Sequence, residues 1–277
     1  MAWATGRGGD GAEQSPFAAG PHKIGGLPTG IGMWTWQRDQ TEGGDVERIV
    51  ARATGAGLTH LYVRTGDSRR GFYNAGFLDD LLPRAHQAGL KVYAWDFPDL
   101  DDPEADVERA VAAIEHEAPG GHRVDGFSAD IETPSEGTQL TVDAARTYAE
   151  GLRAAVGPSE VLIATVPNPT EHFRAVFPYE AVVPSFDAVA PMVYWHARDP
   201  AADLNSAAAH LAGFGKPLLP IGQAYDGAPE GGPPGPPPAA EIVAFLDAAA
   251  VNGAAAVSFW SWQHASPEIW ATLAARS

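Results

Sequence analysis

Apolar residues along the chain follow two alternating spacings. Runs of six to nine residues rich in Val, Ile, Leu and aromatic residues predict buried strands over residues 31–36, 58–64, 90–96, 125–132, 160–165, 186–194, 217–223 and 255–262. Between them, apolar residues recur three or four positions apart, as in an amphipathic helix. These stretches predict helices over residues 45–55, 75–88, 103–117, 141–156, 171–182, 201–214, 239–252 and 267–274.

Eight strands alternating with eight helices indicate an α/β protein of the (β/α)8 TIM barrel class. A doubly wound sheet is the alternative, but it usually has fewer strands, and no glycine-rich phosphate-binding turn follows the first strand here. We expect residues 27–277 to form one barrel domain. Residues 1–26, rich in Gly and Ala, are expected to form a flexible N-terminal arm.

The charge of the chain restricts its partners. The formal net charge is -17, from 18 basic and 35 acidic residues, so no positive surface is expected to neutralise nucleic-acid phosphates or anionic lipids. The absence of cysteine excludes disulfides and thiol catalysis. Residues 1–20 lack the features of a secretory signal. The localisation stays open: extracellular or cell-wall-associated if a leader is missing, and otherwise cytoplasmic.

Two carboxylates end the fourth predicted strand. Side chains alternate along a strand, so Ser128, Asp130 and Glu132 share one face, with the Cα atoms of the last two about 6–7 Å apart. Two close carboxylates cannot easily both be charged in a partly dry site, so one pKa should rise and produce a general acid at neutral pH. An isolated Asp-x-Glu is more often a loop cap beside a solvated residue. The choice between a catalytic pair and a loop cap therefore depends on the residues at the ends of the other predicted strands.

Aromatic and polar residues collect at the C-terminal ends of the predicted strands, where such barrels place their active sites. Six of the eight tryptophans occur there. Aromatic faces surrounded by polar groups suit sugar rings, which are partly apolar and partly hydroxylated. Trp34 and Trp260 have the alternative role of plugging the barrel. The candidate substrate-binding residues are Trp34, Trp36, Arg64, Trp95, Asp96, Asn168, Met192, Trp195, Gln223, Tyr225, Asp226, Trp260 and Trp262.

Other chemistries have weaker support in the sequence. The nine histidines are scattered without an HxH or HExxH motif, so we expect neither a metal nor a cofactor. No G-x-S-x-G motif is present, and Ser128 is interpreted as a small packing residue rather than a nucleophile. His196 and His264 are either substrate-binding residues or plain rim residues.

The segment DGFSADIE resembles the DGxDxDxE signature of the chitinase-type glycoside hydrolases, the family of chitinases and endo-β-N-acetylglucosaminidases. Asp125, Gly126, Asp130 and Glu132 match the signature in register. Ser128 stands where the signature has its middle aspartate. This departure bears on how the charge of Asp130 is controlled.

Two weaker matches lie on later strands. Met192-Val-Tyr194 resembles that family's Met-x-Tyr on the sixth strand, and Trp260 resembles the tryptophan that ends its eighth strand. Trp195 stands where an aspartate usually follows the tyrosine. The Asp-x-Glu with a late Trp-Gln also resembles the lysozyme-type muramidases that have a barrel fold.

The resemblance implies a catalytic mechanism. Glu132 would be the general acid that protonates the leaving glycosidic oxygen. Asp130 would orient the substrate's 2-acetamido group, whose carbonyl attacks the anomeric carbon, and Tyr194 would hydrogen-bond to that group. This substrate-assisted route needs one protein acid, unlike the two-carboxylate scheme. On a sugar without an acetamido group, Asp96 or Asp226 would have to supply the nucleophile or base.

The sequence thus predicts a monomeric glycoside hydrolase that cleaves a β-linked amino-sugar polymer such as chitin, peptidoglycan or an N-glycan core. Its partner would be an oligo- or polysaccharide. Ser128 and Trp195 motivate one alternative, a sugar-binding barrel that has lost its chemistry. The other alternative is a hydrolase of neutral or uronic polysaccharides with a second carboxylate from another strand.

Overall fold

The computed structural model describes residues 26–277. The strands are β1 (Gly30–Thr35), β2 (His60–Asp67), β3 (Gly71–Phe72), β4 (Lys91–Phe97), β5 (Gly126–Asp130), β6 (Leu162–Pro167), β7 (Ala188–Val193), β8 (Ile221–Gln223) and β9 (Ala256–Trp260). The helices are α1 (Val46–Gly55), α2 (Ala75–Gln87), α3 (Pro103–Glu115), α4 (Val142–Val156), α5 (Glu171–Val176), α6 (Tyr179–Val182), α7 (Pro200–Leu211), α8 (Ala239–Val251) and α9 (Pro267–Arg276). The predicted N-terminal arm lies outside the described residues, apart from Gly26.

Eight parallel strands of the described chain close into a barrel in the order β1-β2-β4-β5-β6-β7-β8-β9, and β9 pairs back to β1. The predicted (β/α)8 TIM barrel is therefore confirmed. The short strand β3 pairs antiparallel with β2. The apolar pattern did not predict it because two residues are too few to show a period. None of the described helices has the length and apolarity that crossing a membrane needs.

Two boundaries differ from the sequence prediction. The helix expected over 171–182 is divided into α5 and α6, with Pro178 between them. Proline lacks the N–H that would continue the hydrogen bonds of α5. β5 ends at Asp130, so Glu132 lies in the segment that follows the strand.

Alternation along the strands separates two apolar layers. On β4, Tyr93 and Trp95 belong to the cluster inside the barrel, whereas Val92 and Ala94 belong to the larger cluster beneath the helices. Phe127 of β5 also belongs to the larger cluster, so its neighbours of opposite parity face the barrel interior. The interior positions of β5 thus lead to the carboxylates at its end.

Side-chain caps fix where several helices begin. Asp45, Asp102, Thr141, Asp199 and Ser266 each accept a hydrogen bond from the backbone N–H three residues later. These bonds satisfy N–H groups that have no partner within the helix. Each cap ends the segment that follows a strand, and these segments surround the C-terminal end of the barrel.

Candidate active site

A cleft of about 1200 Å³ opens at the C-terminal ends of the barrel strands. Its walls come from the segments that follow all eight parallel strands. Active sites of this fold lie at this end. The cleft is larger than the roughly 300–1,000 Å³ of common small-molecule sites, so it has room for an extended ligand.

Asp130, the last residue of β5, lines this cleft and is 8% exposed. Its Oδ1 atom has no hydrogen-bond partner among the described residues. Burial raises the pKa of Asp130 to about 7, against the opposing effect of the Arg64 guanidinium. The negative charges of Asp96 and Glu136 raise this pKa further. Near neutral pH, a large fraction of this carboxyl group is therefore protonated.

Glu132 also lines the cleft and is partly buried. Burial raises the pKa of Glu132 well above its usual range, and the charges of Asp130 and Glu136 add to this effect. A hydrogen bond from the Thr133 backbone acts in the opposite direction. The sequence predicted that one pKa of the pair would rise, and in the structure both do. A carboxylic acid that stays protonated at neutral pH can donate its proton to a leaving group.

Ser128 lies two residues before Asp130, on the inner face of β5. Its hydroxyl is 2.8 Å from the Thr165 hydroxyl, and neither side chain is exposed by more than 1%. No reacting group could reach the Ser128 oxygen in this position. The arrangement agrees with the interpretation of Ser128 as a packing residue.

Four tryptophans form the floor and one side of the cleft. Trp34 and Trp95 are each 1% exposed, with ring centroids 5.4 Å apart, so they close the floor. Trp260 lies 5.4 Å from Trp95 and 6.1 Å from Trp36, and both Trp260 and Trp36 are partly exposed. The plug role therefore fits Trp34, whereas Trp36 and Trp260 present ring surface to a ligand.

The structure brings a further group of the predicted residues to the cleft: Arg64, Asn168, Met192, Tyr194, Tyr225 and Asp226. The ring of Tyr194 meets that of Tyr225 edge to face at 5.4 Å. Burial raises the pKa of Tyr194 well above its usual range, and the neighbouring Tyr225 and Asp130 add to the effect. The phenol therefore keeps its proton and can donate a hydrogen bond to a ligand.

Two predicted tryptophans lie outside the cleft, which corrects the substrate contacts expected of them. Trp195 is fully buried against Phe245 of α8, and its Nε1 donates to a Glu241 oxygen at 2.7 Å. Trp262 is 3% exposed and packs on Trp270 of α9, with ring centroids 4.7 Å apart. Both indoles fill space between the barrel and its helices.

Two predicted polar residues also lie behind the cleft wall. Asp96 is 1% exposed and pairs with Arg109 Nε of α3 at 2.8 Å, so it faces the helices. This corrects its expected role as a substrate contact or second carboxylate. Gln223 is 2% exposed; its Oε1 accepts from the His196 backbone at 2.9 Å, and its Nε2 donates to the Tyr225 carbonyl at 3.1 Å. Gln223 positions two cleft segments instead of lining the cleft.

Sequence reasoning missed Glu230. It lies in the Gly/Pro-rich loop 227–238 and lines the cleft. A Glu230 carboxylate oxygen accepts from the Tyr225 hydroxyl at 2.9 Å and lies 2.9 Å from His196 Nε2. The density of Gly and Pro in this stretch is typical of a loop, but only the fold brings its glutamate to these partners.

Arg69 and Arg70 also line the cleft and were not predicted. They follow β2 in the turn to β3, and the available signal was a pair of arginines directly after a strand end. Within residues 26–277, no group of three or more His, Cys, Asp or Glu side chains is placed to hold a metal ion.

Solved structures with similar architecture include proteins that act on polysaccharides. A chitinase from the chitin utilization locus of Flavobacterium johnsoniae matches with a TM-score of 0.58 and 12% identity, over 89% of this chain and 93% of that one. The spore cortex-lytic enzyme of Bacillus cereus matches with a TM-score of 0.62 and 12% identity, over 88% and 73% of the two chains. The chain has the fold of the chitinase-type glycoside hydrolase barrels.

The same fold also occurs in a protein of a different kind. The xylanase and α-amylase inhibitor protein of Scadoxus multiflorus matches with a TM-score of 0.54 and 15% identity, over 89% of this chain and 96% of that one. No protein-family model matches the sequence, and no curated protein matches it significantly. At these identities the similarity establishes the fold, and the chemistry must be argued from the cleft.

Proposed function

We propose that this protein is a glycoside hydrolase that cleaves a β-linked amino-sugar polymer of the chitin, peptidoglycan or N-glycan type. The observation that carries the proposal is the pair Asp130 and Glu132, two carboxyl groups of raised pKa in an aromatic-lined cleft, of which Asp130 is buried and Glu132 is partly buried. The fold shared with glycoside hydrolase barrels supports it.

In the proposed mechanism, Glu132 donates its proton to the glycosidic oxygen as the bond from that oxygen to the anomeric carbon breaks. The carbonyl oxygen of the substrate's own 2-acetamido group attacks the anomeric carbon and forms a cyclic oxazolinium. Asp130 accepts a hydrogen bond from the acetamido N–H, and the Tyr194 hydroxyl donates to the acetamido oxygen. Water then attacks the anomeric carbon, returns a proton to Glu132 and reopens the ring.

The position of Asp130 supports this route over direct attack by a protein carboxylate. Asp130 ends β5 and Glu132 follows two residues later, with Ile131 buried beneath the helices between them. Both carboxyl groups therefore enter the cleft from the same strand end and are poorly placed to flank one bond from opposite sides. Asp96 faces α3, and Asp226 Oδ1 already accepts two backbone hydrogen bonds at 2.9 Å in its own loop. Neither of the two carboxylates expected to serve a neutral polysaccharide is therefore placed as a nucleophile.

A second candidate function is carbohydrate binding without cleavage. The Ser128 hydroxyl, bound to Thr165, occupies the position of an aspartate in the resembled signature. The inhibitor protein of similar fold also favours this candidate. It predicts oligosaccharide binding through Trp36 and Trp260 with no product.

The decisive experiment is a digest of defined chitooligosaccharides and purified peptidoglycan, read by mass spectrometry. Glu132→Gln should lose about 10²–10⁴-fold in turnover, the usual contribution of a general acid, while the variant stays at least as stable as the wild type because its side chain is always neutral. Glu180→Gln, an exposed residue of α6 outside the cleft, is the matched control. Equal turnover by Glu132→Gln and the wild type would refute the assignment. Binding without products would favour the second candidate.

A further inference from the structure

The last part of β2 and the turn that connects it to β3 bring three arginines to one wall of the cleft. Arg64, Arg69 and Arg70 all line it, and Asp67 is the single acidic residue in the same stretch. Residues 64–70 therefore carry a surplus of two positive charges, in a chain whose formal net charge is -17. Such a concentration of cations in the binding cleft needs a structural or a functional reason.

Asp67 neutralises only part of the positive charge of these arginines. Its carboxylate accepts from the backbone N–H groups of Arg69 and Arg70 at 3.1 and 2.9 Å, and from Arg70 Nε at 2.7 Å. Burial disfavours its charge, but the hydrogen bonds from Arg70 prevail and lower the pKa of Asp67. Asp67 therefore stays ionised and fixes the turn. Its hydrogen bonds pair it mainly with Arg70.

Arg64 is held in the cleft wall by stacking rather than by strong hydrogen bonds. Its guanidinium carbon lies 5.1 Å from the centre of the Trp95 ring, which suits a cation–π contact. Its hydrogen bonds to Asp67 and to the Gly66 carbonyl are 3.4 and 3.5 Å long, at the weak limit. Only 14% of the side chain is exposed, so the guanidinium is positioned in advance with donor capacity to spare.

Arg69 is the most available of the three. It is exposed, and its guanidinium forms no ion pair or hydrogen bond with any side chain from residue 26 onward. Its backbone, in contrast, is fixed by Asp67. A planar guanidinium matches the two oxygens of a carboxylate better than a neutral hydroxyl.

We propose that the cluster of Arg64, Arg69 and Arg70 binds the carboxylate of an acidic sugar. The natural glycan would then contain carboxylated units as well as the amino sugar that is cleaved. The inference rests on the proposed function and narrows its substrate class. The overall negative charge repels a polyanion at long range, but screening limits this repulsion to about 10 Å. The carboxylate would therefore be recognised through direct contact with the guanidinium groups of Arg64 and Arg69.

The test uses pairs of glycans that differ only in charge. Peptide-free peptidoglycan strands are compared with the same strands after their carboxylates are reduced to alcohols, and chitohexaose is the neutral reference. An oligosaccharide that alternates N-acetylglucosamine and glucuronic acid distinguishes a uronic carboxylate from a lactyl one. We expect a KM about 3- to 10-fold lower for a carboxylated glycan than for its reduced form, a difference that high salt removes.

Arg69→Gln should abolish the difference in KM between the carboxylated strands and their reduced form. Arg146→Gln, which removes a half-exposed arginine of α4, should leave the preference intact. Equal KM values for native and reduced strands overturn the inference while leaving the glycosidase proposal in place. If none of the glycans is cleaved, the glycosidase proposal fails. Isothermal calorimetry with the same native and reduced strands then tests whether the arginines bind a carboxylate. Equal affinity of the wild type and Arg69→Gln for the carboxylated strand overturns the inference.

Discussion

The hydroxyl groups of Ser128 and Thr165 lie 2.8 Å apart and connect β5 to β6 at the base of the cleft. Thr165 is also the register partner of Asp130, so this bond adjoins a candidate catalytic carboxyl group. A neutral hydrogen bond thus occupies the position where the resembled signature has a charged side chain. Besides burial, the charges of Asp96 and Glu136 raise the pKa of Asp130.

Ser128→Ala should destabilise the protein by about 1–3 kcal/mol, because the Thr165 hydroxyl would remain buried without its partner. Turnover should stay within about threefold of the wild type, since the Ser128 oxygen is inaccessible to substrate. Chemical denaturation and steady-state kinetics on one preparation measure both quantities.

The double variant Ser128→Ala/Thr165→Val is the control for that interpretation. Removing both hydroxyls leaves no unsatisfied group, so adding the second substitution should recover most of the lost stability. If the two losses simply add, the hydrogen bond contributes little and the structural interpretation is wrong.

Asp130→Asn should stabilise the protein in a pH-dependent way. The pKa of Asp130 is raised to about 7 in the folded state, whereas an unfolded aspartate ionises near pH 3.9. Between these values the folded state binds the extra proton, so wild-type stability falls as pH rises. Asparagine stays neutral throughout. Its advantage in Tm should be small near pH 4, grow through neutrality and level off by about pH 8.

Thermal unfolding at a series of pH values measures this effect, with Asp143→Asn as the control. The Asp143 side chain is 94% exposed, so its substitution should give a Tm difference that barely changes with pH. An Asp130→Asn advantage that shrinks with rising pH contradicts the burial argument. The variant should also lose activity, because a neutral amide oxygen accepts a weaker hydrogen bond from the acetamido N–H than an ionised carboxylate does.

Trp260→Ala and Trp195→Ala should fail in different ways. Trp260 presents ring surface to the cleft, so its loss should raise the KM about 3- to 10-fold, as expected for an aromatic contact of about 0.5–1.5 kcal/mol. Trp195 is fully buried between β7 and α8, so its loss should cost about 3–5 kcal/mol of stability.

Oligosaccharide titration followed by calorimetric unfolding separates the two effects. Trp195→Phe, which keeps most of the packing, should leave the KM at the wild-type value. A raised KM in Trp195→Phe with unchanged stability would return Trp195 to the binding residues.

The fold was predictable because its determinants are local and repeated. Each amphipathic helix lies between two apolar strands, and caps such as Asp102 and Thr141 mark where helices begin. Errors arose where local rules are weak, as in β3, whose two residues show no period. The division of α5 from α6 could have been read from Pro178.

Within the cleft, sequence alone settled that Asp130 faces the barrel interior, because alternation along β5 fixes the face of each residue. Glu132 lies beyond the end of β5, so its place in the cleft depended on the path of the segment that follows the strand. Only the tertiary structure decided which other strand-end residues reach the cleft. Trp260 is the last residue of β9 and follows its alternation into the cleft. Trp195 lies two residues beyond the end of β7, where alternation no longer applies, and packs under α8. Contacts between different elements of the fold likewise decided which charged side chains face the cleft. Asp96 is held by Arg109 of α3, and its pairing depends on the packing of the whole barrel rather than on its neighbours in the chain.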